Sequence, residues 1–248
     1  MATFTPTVPT RVPATSRGNR NNLPPIQGGG DDGRPDFGSP DHAVRLRRAR
    51  LGLLIALTPI LMLFVSFTSA YVVRQGLPTF DPATNTVRRD WLPIPLPNTL
   101  FLINTIVLLV SSVTVELARR RMAQRVALEP VNTIPGVSIG GEKEFPWLGI
   151  TVVLGFGFLA GQFFAWRDLA ARGFFVASGP SSSFVYLLTG AHALHLLGGV
   201  LALLVAGSTV VMRRSLESRH IVVDVTAWYW HFMAVMWIYI LALMEFAH

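Results

Sequence analysis

Residues 51–73 read LGLLIALTPILMLFVSFTSAYVV, without one charged side chain from end to end. An α-helix rises 1.5 Å per residue, so about 20 such residues cross the hydrocarbon core of a bilayer. The run is continuous rather than alternating and far exceeds strand length, which argues for helix and against a barrel strand. Four further stretches have the same character: 100–117, 147–166, 183–212 and 227–246. The fourth of the five is longer than a crossing needs, as expected for tilt or an extension past the membrane. The sequence therefore predicts an all-α, polytopic membrane bundle of five transmembrane helices. Composition agrees: of 248 residues, 51% are apolar and 14% charged, with a mean hydropathy of +0.46. Soluble domains carry about 25% charged residues. So few polar side chains cannot cover a water-facing surface.

Outside the spans, residues 1–44 are expected to form a disordered, Pro- and Gly-rich cytoplasmic lead, and residues 45–248 the membrane domain. Pro6, Pro9, Pro13, Pro24, Pro25, Pro35 and Pro40 are scattered through the lead with Gly28, Gly29 and Gly30. No apolar period offsets the entropy of ordering it. With no apolar stretch before Leu51, the lead does not read as a secretory signal. The net charge of +7 need not mean nucleic acid, because the basic residues are sorted by side. With five crossings, 16 of the 21 Lys and Arg fall on one face and 5 on the other. The positive-inside rule then sets the amino terminus in the cytoplasm and His248 in the periplasm. Cysteine is absent, which excludes disulfides, thiolate metal sites and thiol-linked haem.

Within the spans, polar residues mark what each helix is for. In the second, Asn104 and Ser111, and likewise Thr105 and Ser112, stand seven residues apart and make a stripe two turns long. In the third, Gly157 and Gly161 have the spacing for close helix contact, with Gln162 and Trp166 beyond them. His192 and His195, at i and i+3, share a face of the fourth helix about 18 Å deep, near mid-membrane. A charged imidazolium is costly there, so a neutral, hydrogen-bonded form is expected. His231 enters the fifth span about one turn from the cytoplasmic side. Structural ties between helices, a proton or lipid-headgroup role, and metal or haem ligation all compete for these histidines. Ligation by a pair of facing histidines is disfavoured because His231 lies at another depth. Glu116 is expected to pair with Arg119 and Arg120, and Glu245 stands in the last turn. No acidic residue occupies the middle of a span, which argues against a carboxylate proton relay. Trp228, Tyr229, Trp230, Trp91 and Trp166 suit interfacial aromatic belts.

The order of these features resembles subunit III of the haem-copper respiratory oxidases. Residues 228–246, WYWHFMAVMWIYILALMEF, are similar to that family's closing helix in Tyr229, Trp230, His231, Phe232 and Trp237. FVYLLTGAHALHLLGG matches its Leu-Thr-Gly, His, His, Gly pattern in Leu188, Thr189, Gly190, His192, His195 and Gly199. INTIVLLVSSVTVELA resembles its Asn-Thr and Ser-Ser helix, and residues 155–166 its Gly, Phe, Gln, Trp helix. Residues 50–73 are similar to its Arg-Leu-Gly start and Ser-Ala-Tyr end. The likeness runs from Arg50 to Glu245, in the family's order. Two positions depart from it. Ile60 stands where the family commonly has a Glu, and Ala234 where it commonly has an Asp, so roles assigned to those carboxylates do not carry over.

The resemblance implies the family's short five-helix form, an accessory subunit of a terminal oxidase that couples oxygen reduction to proton pumping in the cell inner membrane. It implies no catalytic residue and no cofactor in this chain, with haem and copper in partner chains. Oxidase subunits I and II and membrane phospholipid would be its partners. His192, His195, Trp230 and His231 would serve as helix-packing, lipid or subunit contacts. The short form also occurs in quinol oxidases and in a relative associated with nitric oxide reductase. Outside the family, the rivals are a His-ligated membrane cytochrome and a stand-alone transporter. A transporter is expected to show interrupted helices in paired halves, and no such repeat is visible.

Overall fold

A computed structural model describes residues 41–81, 85–88, 91, 97–132, 146–212 and 215–246. Of the lead expected to be disordered, residues 1–44, the first forty lie outside the described ones, whereas residues 42–44 belong to α1. Five helices follow in order: α1 (His42–Gly76), α2 (Asn98–Asn132), α3 (Trp147–Ala171), α4 (Pro180–Val211) and α5 (Leu216–Phe246). All five are long and apolar enough to cross a membrane. Between α1 and α2 lies an antiparallel hairpin of β1 (Thr79–Asp81) and β2 (Thr86–Arg88), with Thr79 opposite Arg88. Asn85 takes the turn's left-handed conformation, φ 49°, which Asn tolerates better than most residues.

Every helix outruns the span read from its sequence. α1 begins nine residues before Leu51, α2 runs on to Asn132, and α5 starts at Leu216 rather than at Ala227. The reason is physical: hydropathy marks only the part of a helix that needs lipid. Good helix formers such as Arg, Glu and Ala continue the same hydrogen-bond ladder into the headgroup region and water. Pro59 lies inside α1 without ending it. Its neighbour Thr58 donates to the Leu54 carbonyl at 3.0 Å, one residue before the Ile55 carbonyl that the proline leaves without an N–H. α3 stops at Gly173, φ 88°, whose N–H bonds Ala170 O while Phe174 N–H reaches back to Leu169 O. Those two bonds make a Schellman stop. Pro180 opens α4 at the first helical position, where its missing N–H costs nothing.

α2, α3, α4 and α5 form a ring in which each touches two neighbours, while α1 lies on the flank against α4 and α5. The core inside the ring is aromatic and aliphatic, with Phe158, Leu188, Leu196, Trp230, Met233 and Trp237 among its buried members. α1 buries little, and Leu54, Ile55, Met62, Val65 and Val73 are exposed along it.

Of the aromatic residues read as an interfacial belt, Trp228 is half-exposed. Trp230 is fully buried, Trp91 packs edge-on to Tyr71 at 4.9 Å, and Trp166 donates to Thr189. For Trp230 and Trp166 a hydroxyl on a neighbouring helix takes the indole N–H that a headgroup would otherwise satisfy. The glycine expectation is also half right. A Cβ on Gly161 would strike the Asn104 carboxamide, whereas Gly157 faces open space. Further close approaches are at Gly155 and Gly199, both against the Trp230 ring.

Candidate functional site

The polar stripe of α2 is the seam on which α5 docks. Trp237 Nε1–H donates to Thr105 Oγ1 at 3.0 Å, and Trp230 Nε1–H donates to Ser111 Oγ at 2.9 Å. Ser112 Oγ and His231 Nδ1 share a hydrogen bond of 2.6 Å. One further step along the same antiparallel register, Arg119 Nη1 reaches Asp224 Oδ1 at 3.2 Å. Each indole N–H thus finds a hydroxyl where lipid would offer none, and such interhelical bonds are worth about 0.6 kcal/mol on average inside a membrane.

The Arg119 end of the seam opens into an ionic cluster. Arg50 of α1 grips Asp224 with two parallel bonds, Nε to Oδ2 at 2.7 Å and Nη2 to Oδ1 at 2.8 Å. Arg119 turns its other nitrogens to Glu116, at 2.7 and 2.8 Å, and Arg120 Nε reaches the same carboxylate at 2.7 Å. The pairing expected of Glu116 with both arginines is therefore present. Glu116 Oε2 also lies 3.5 Å from His231 Nε2. If that nitrogen carries the proton, Nδ1 accepts from Ser112, so both ring nitrogens are used. Below this, Arg45 meets Glu217 at 3.4 Å and Ser218 at 3.1 Å, and the His42 and His220 rings stack at 5.4 Å. The cluster clamps α1, α2 and α5 at one end.

The two histidines of α4 take different surroundings despite their shared face. His192 is fully buried, its ring edge-on to Phe158 at 5.7 Å and tilted against Trp237 at 5.1 Å. His195 is half-buried and faces Phe64 of α1, with ring centroids 5.7 Å apart. Its Nδ1 lies 2.7 Å from Ala191 O, and a carbonyl only accepts, so Nδ1 holds the proton. The His195 carbonyl in turn accepts from Tyr229 OH at 2.8 Å.

The four residues singled out from sequence therefore do not converge on one centre. Trp230 and His231 tie α5 to α2, His192 lies between α3 and α5, and His195 joins α4 to α1. His192 and Trp230 have no exposed surface, so their contacts are helix to helix within this chain. Among the described residues, no group of three or more His, Cys, Asp or Glu side chains could hold a metal ion.

Sequence reasoning missed Asp224 and its partner Arg50, because both lie beyond the apolar runs. The Asp224 side chain has no exposure at all, although it stands outside the apolar run read as the fifth span. A signal was available. Asp224 stands seven residues before His231, two turns along one face of any helix that continues upstream.

Comparison with known proteins agrees with this architecture. A family model described as cytochrome c oxidase subunit III matches residues 37–247. The chain is 28% identical over 197 residues to the cytochrome c oxidase subunit 3 of Squalus acanthias, covering 77% of this chain and 66% of that protein. It is 27% identical over 205 residues to that of Latimeria chalumnae, covering 80% and 70%. The probable cytochrome c oxidase subunit 3 of Mycobacterium bovis is 31% identical over 100 residues, covering 40% and 49%. The chain thus spans just under two thirds of the length of the Squalus acanthias relative. With all of residues 41–246 inside one family match and five helices in the expected order, the chain belongs to the cytochrome c oxidase subunit III family.

Proposed function

We propose that this chain is an accessory, cofactor-free subunit of a cytochrome c oxidase-type terminal oxidase. It would stabilise the catalytic subunit of a complex that reduces oxygen and pumps protons in the cell inner membrane. The observation that carries the reading is the family match across residues 37–247. The side chains support it. The four candidate residues are occupied with helix contacts, and with no cysteine the chain offers few soft ligands for haem or copper. His192, His195, Trp230 and His231 act as packing residues in this reading, and none takes part in chemistry. α1 offers an apolar outer face to lipid tails or to a second membrane chain, the place for subunits I and II. Half-exposed Arg50 and exposed Arg120, at one end of the bundle, offer guanidinium groups to phospholipid headgroups.

Affinity purification of the tagged chain from its own membranes, followed by mass spectrometry and an absorption spectrum, tests this. The expected result is co-purification of the haem-bearing catalytic subunit, and no Soret band once the chain is separated from it. A stoichiometric Soret band on the isolated chain, or its recovery without any oxidase subunit, would overturn the proposal.

A further inference from the structure

Three buried side chains on three helices carry polar atoms for which the described residues supply no hydrogen bond. They are the amide nitrogen of Asn104 on α2, both carboxamide atoms of Gln162 on α3, and both ring nitrogens of His192 on α4. Their residues are 3%, 1% and 0% exposed. The packing draws them to one seam. A Cβ on Gly161 would lie 2.9 Å from Asn104 Cγ, so the Asn104 amide rests against the residue next to Gln162. Phe158, one turn before Gln162, touches the His192 ring, and Trp166, one turn after it, bonds Thr189, three residues before His192. Gln162 therefore stands on the strip of α3 that faces α4, within about a turn of His192. Trp237 closes the remaining side, 5.1 Å from the His192 ring and 4.9 Å from Phe158, with its N–H on Thr105 beside Asn104.

Buried polar groups in native proteins are nearly always hydrogen-bonded, and each exception calls for a partner. This chain's own helices enclose the three residues, so neither a lipid nor a neighbouring subunit can reach them. What pairs with them has to be small and internal. Its chemistry follows from the donors and acceptors present. The two carboxamide nitrogens donate, the Gln162 oxygen accepts, and a neutral imidazole does one of each. A metal cation would face N–H donors, and an anion would face the Gln162 oxygen. Only a molecule that both donates and accepts suits all of them. We propose that ordered water occupies the seam where α2, α3, α4 and α5 meet, bridging Gln162 to His192 and Asn104. Water sealed into proteins in this way typically makes about three hydrogen bonds. The bridge adds to the register of three helices, one turn from the direct Trp166–Thr189 bond between α3 and α4.

Radiolytic footprinting of the full-length protein in its native complex, in water enriched in oxygen-18, tests this directly. Hydroxyl radicals generated at an internal water oxidise the side chains beside it. The expected result is label on Trp237 and Phe158, which touch the His192 ring, and little on Trp230, which is equally buried but stands two turns away along α5. Absence of label from Trp237 and Phe158 overturns the proposal. The sign of two substitutions gives an independent check. With water present, Gln162→Met and His192→Phe each strip a partner from the bridge and lower the thermal midpoint by about 2–4 °C. In a dry seam the same changes remove unpaired polar groups and raise the midpoint, which contradicts the proposal.

Discussion

Asp224 stands two turns into α5 with no exposed side-chain surface, and guanidinium groups from two other helices converge on it. Glu116, by contrast, is 21% exposed and draws both of its arginines from its own helix. These two carboxylates differ in what they hold. Intrahelical pairs at i and i+3 or i+4 stabilise by about 0.2–0.5 kcal/mol. A hydrogen bond to a charged partner across helices is worth roughly 1.5–3 kcal/mol, and its loss leaves a buried end unpaired. Asp224→Ala is therefore expected to destabilise the purified protein by roughly 1.5–3 kcal/mol. Glu116→Ala should cost less, with His231 as the one interhelical contact it gives up. Denaturation midpoints in detergent measure both. Equal losses for the two variants would mean that the α1–α5 clamp does not rest on Asp224.

Between elements, the contacts fall into simple registers. α2 and α5 run antiparallel, and the pairs Thr105–Trp237, Ser111–Trp230, Ser112–His231 and Arg119–Asp224 climb one helix as they descend the other. α1 and α5 run parallel, from Arg45–Glu217 and Arg50–Asp224 to Thr68–Tyr239 at 2.9 Å. In lipid no hydrophobic force sets such registers, so close packing and hydrogen bonds must. The indole of Trp230 depends on two glycines for its place. A methyl on Gly155 would come 2.8 Å from the ring and 3.0 Å from Val200, and one on Gly199 would come 3.0 Å from Tyr229. Gly157, two residues from Gly155, meets nothing. Gly155→Ala should lower the thermal midpoint, Gly199→Ala should do so to a smaller extent, and Gly157→Ala should leave it unchanged or raise it. Overpacking costs about 1–3 kcal/mol, whereas replacing a helical glycine by alanine in open space gains up to about 1 kcal/mol. A midpoint lowered as much by Gly157→Ala as by Gly155→Ala would remove the Trp230 cradle from the account.

Over the whole molecule, the sequence disclosed what lipid demands and concealed what the helices demand of each other. Five apolar runs and the α2 stripe were legible because each shows as a one-dimensional pattern. The partners of that stripe were not, since nothing in 105 and 112 names 237 and 231 until two helices are docked. Spacing likewise marks Gly157 and Gly161 as a contact pair without showing which of them meets a neighbour. Asp224 escaped because hydropathy stops where lipid stops, while α5 continues. The sorting of basic residues is a different kind of signal, from which the positive-inside rule predicts an amino terminus inside. The α1–α5 and α2–α5 registers set the Arg-rich stretches of α1 and α2 level with the start of α5. The natural chain has no cysteine, so single-cysteine variants report position without background. Val176, between α3 and α4, and Met212, beyond α4, are both exposed. From the 16-to-5 split of basic residues, the positive-inside rule predicts that Val176→Cys reacts with a membrane-impermeant maleimide in right-side-out cells. Met212→Cys should react only in inverted vesicles. The opposite pattern would reverse the whole bundle in the membrane, and labelling of both variants from one side would mean that α4 does not cross.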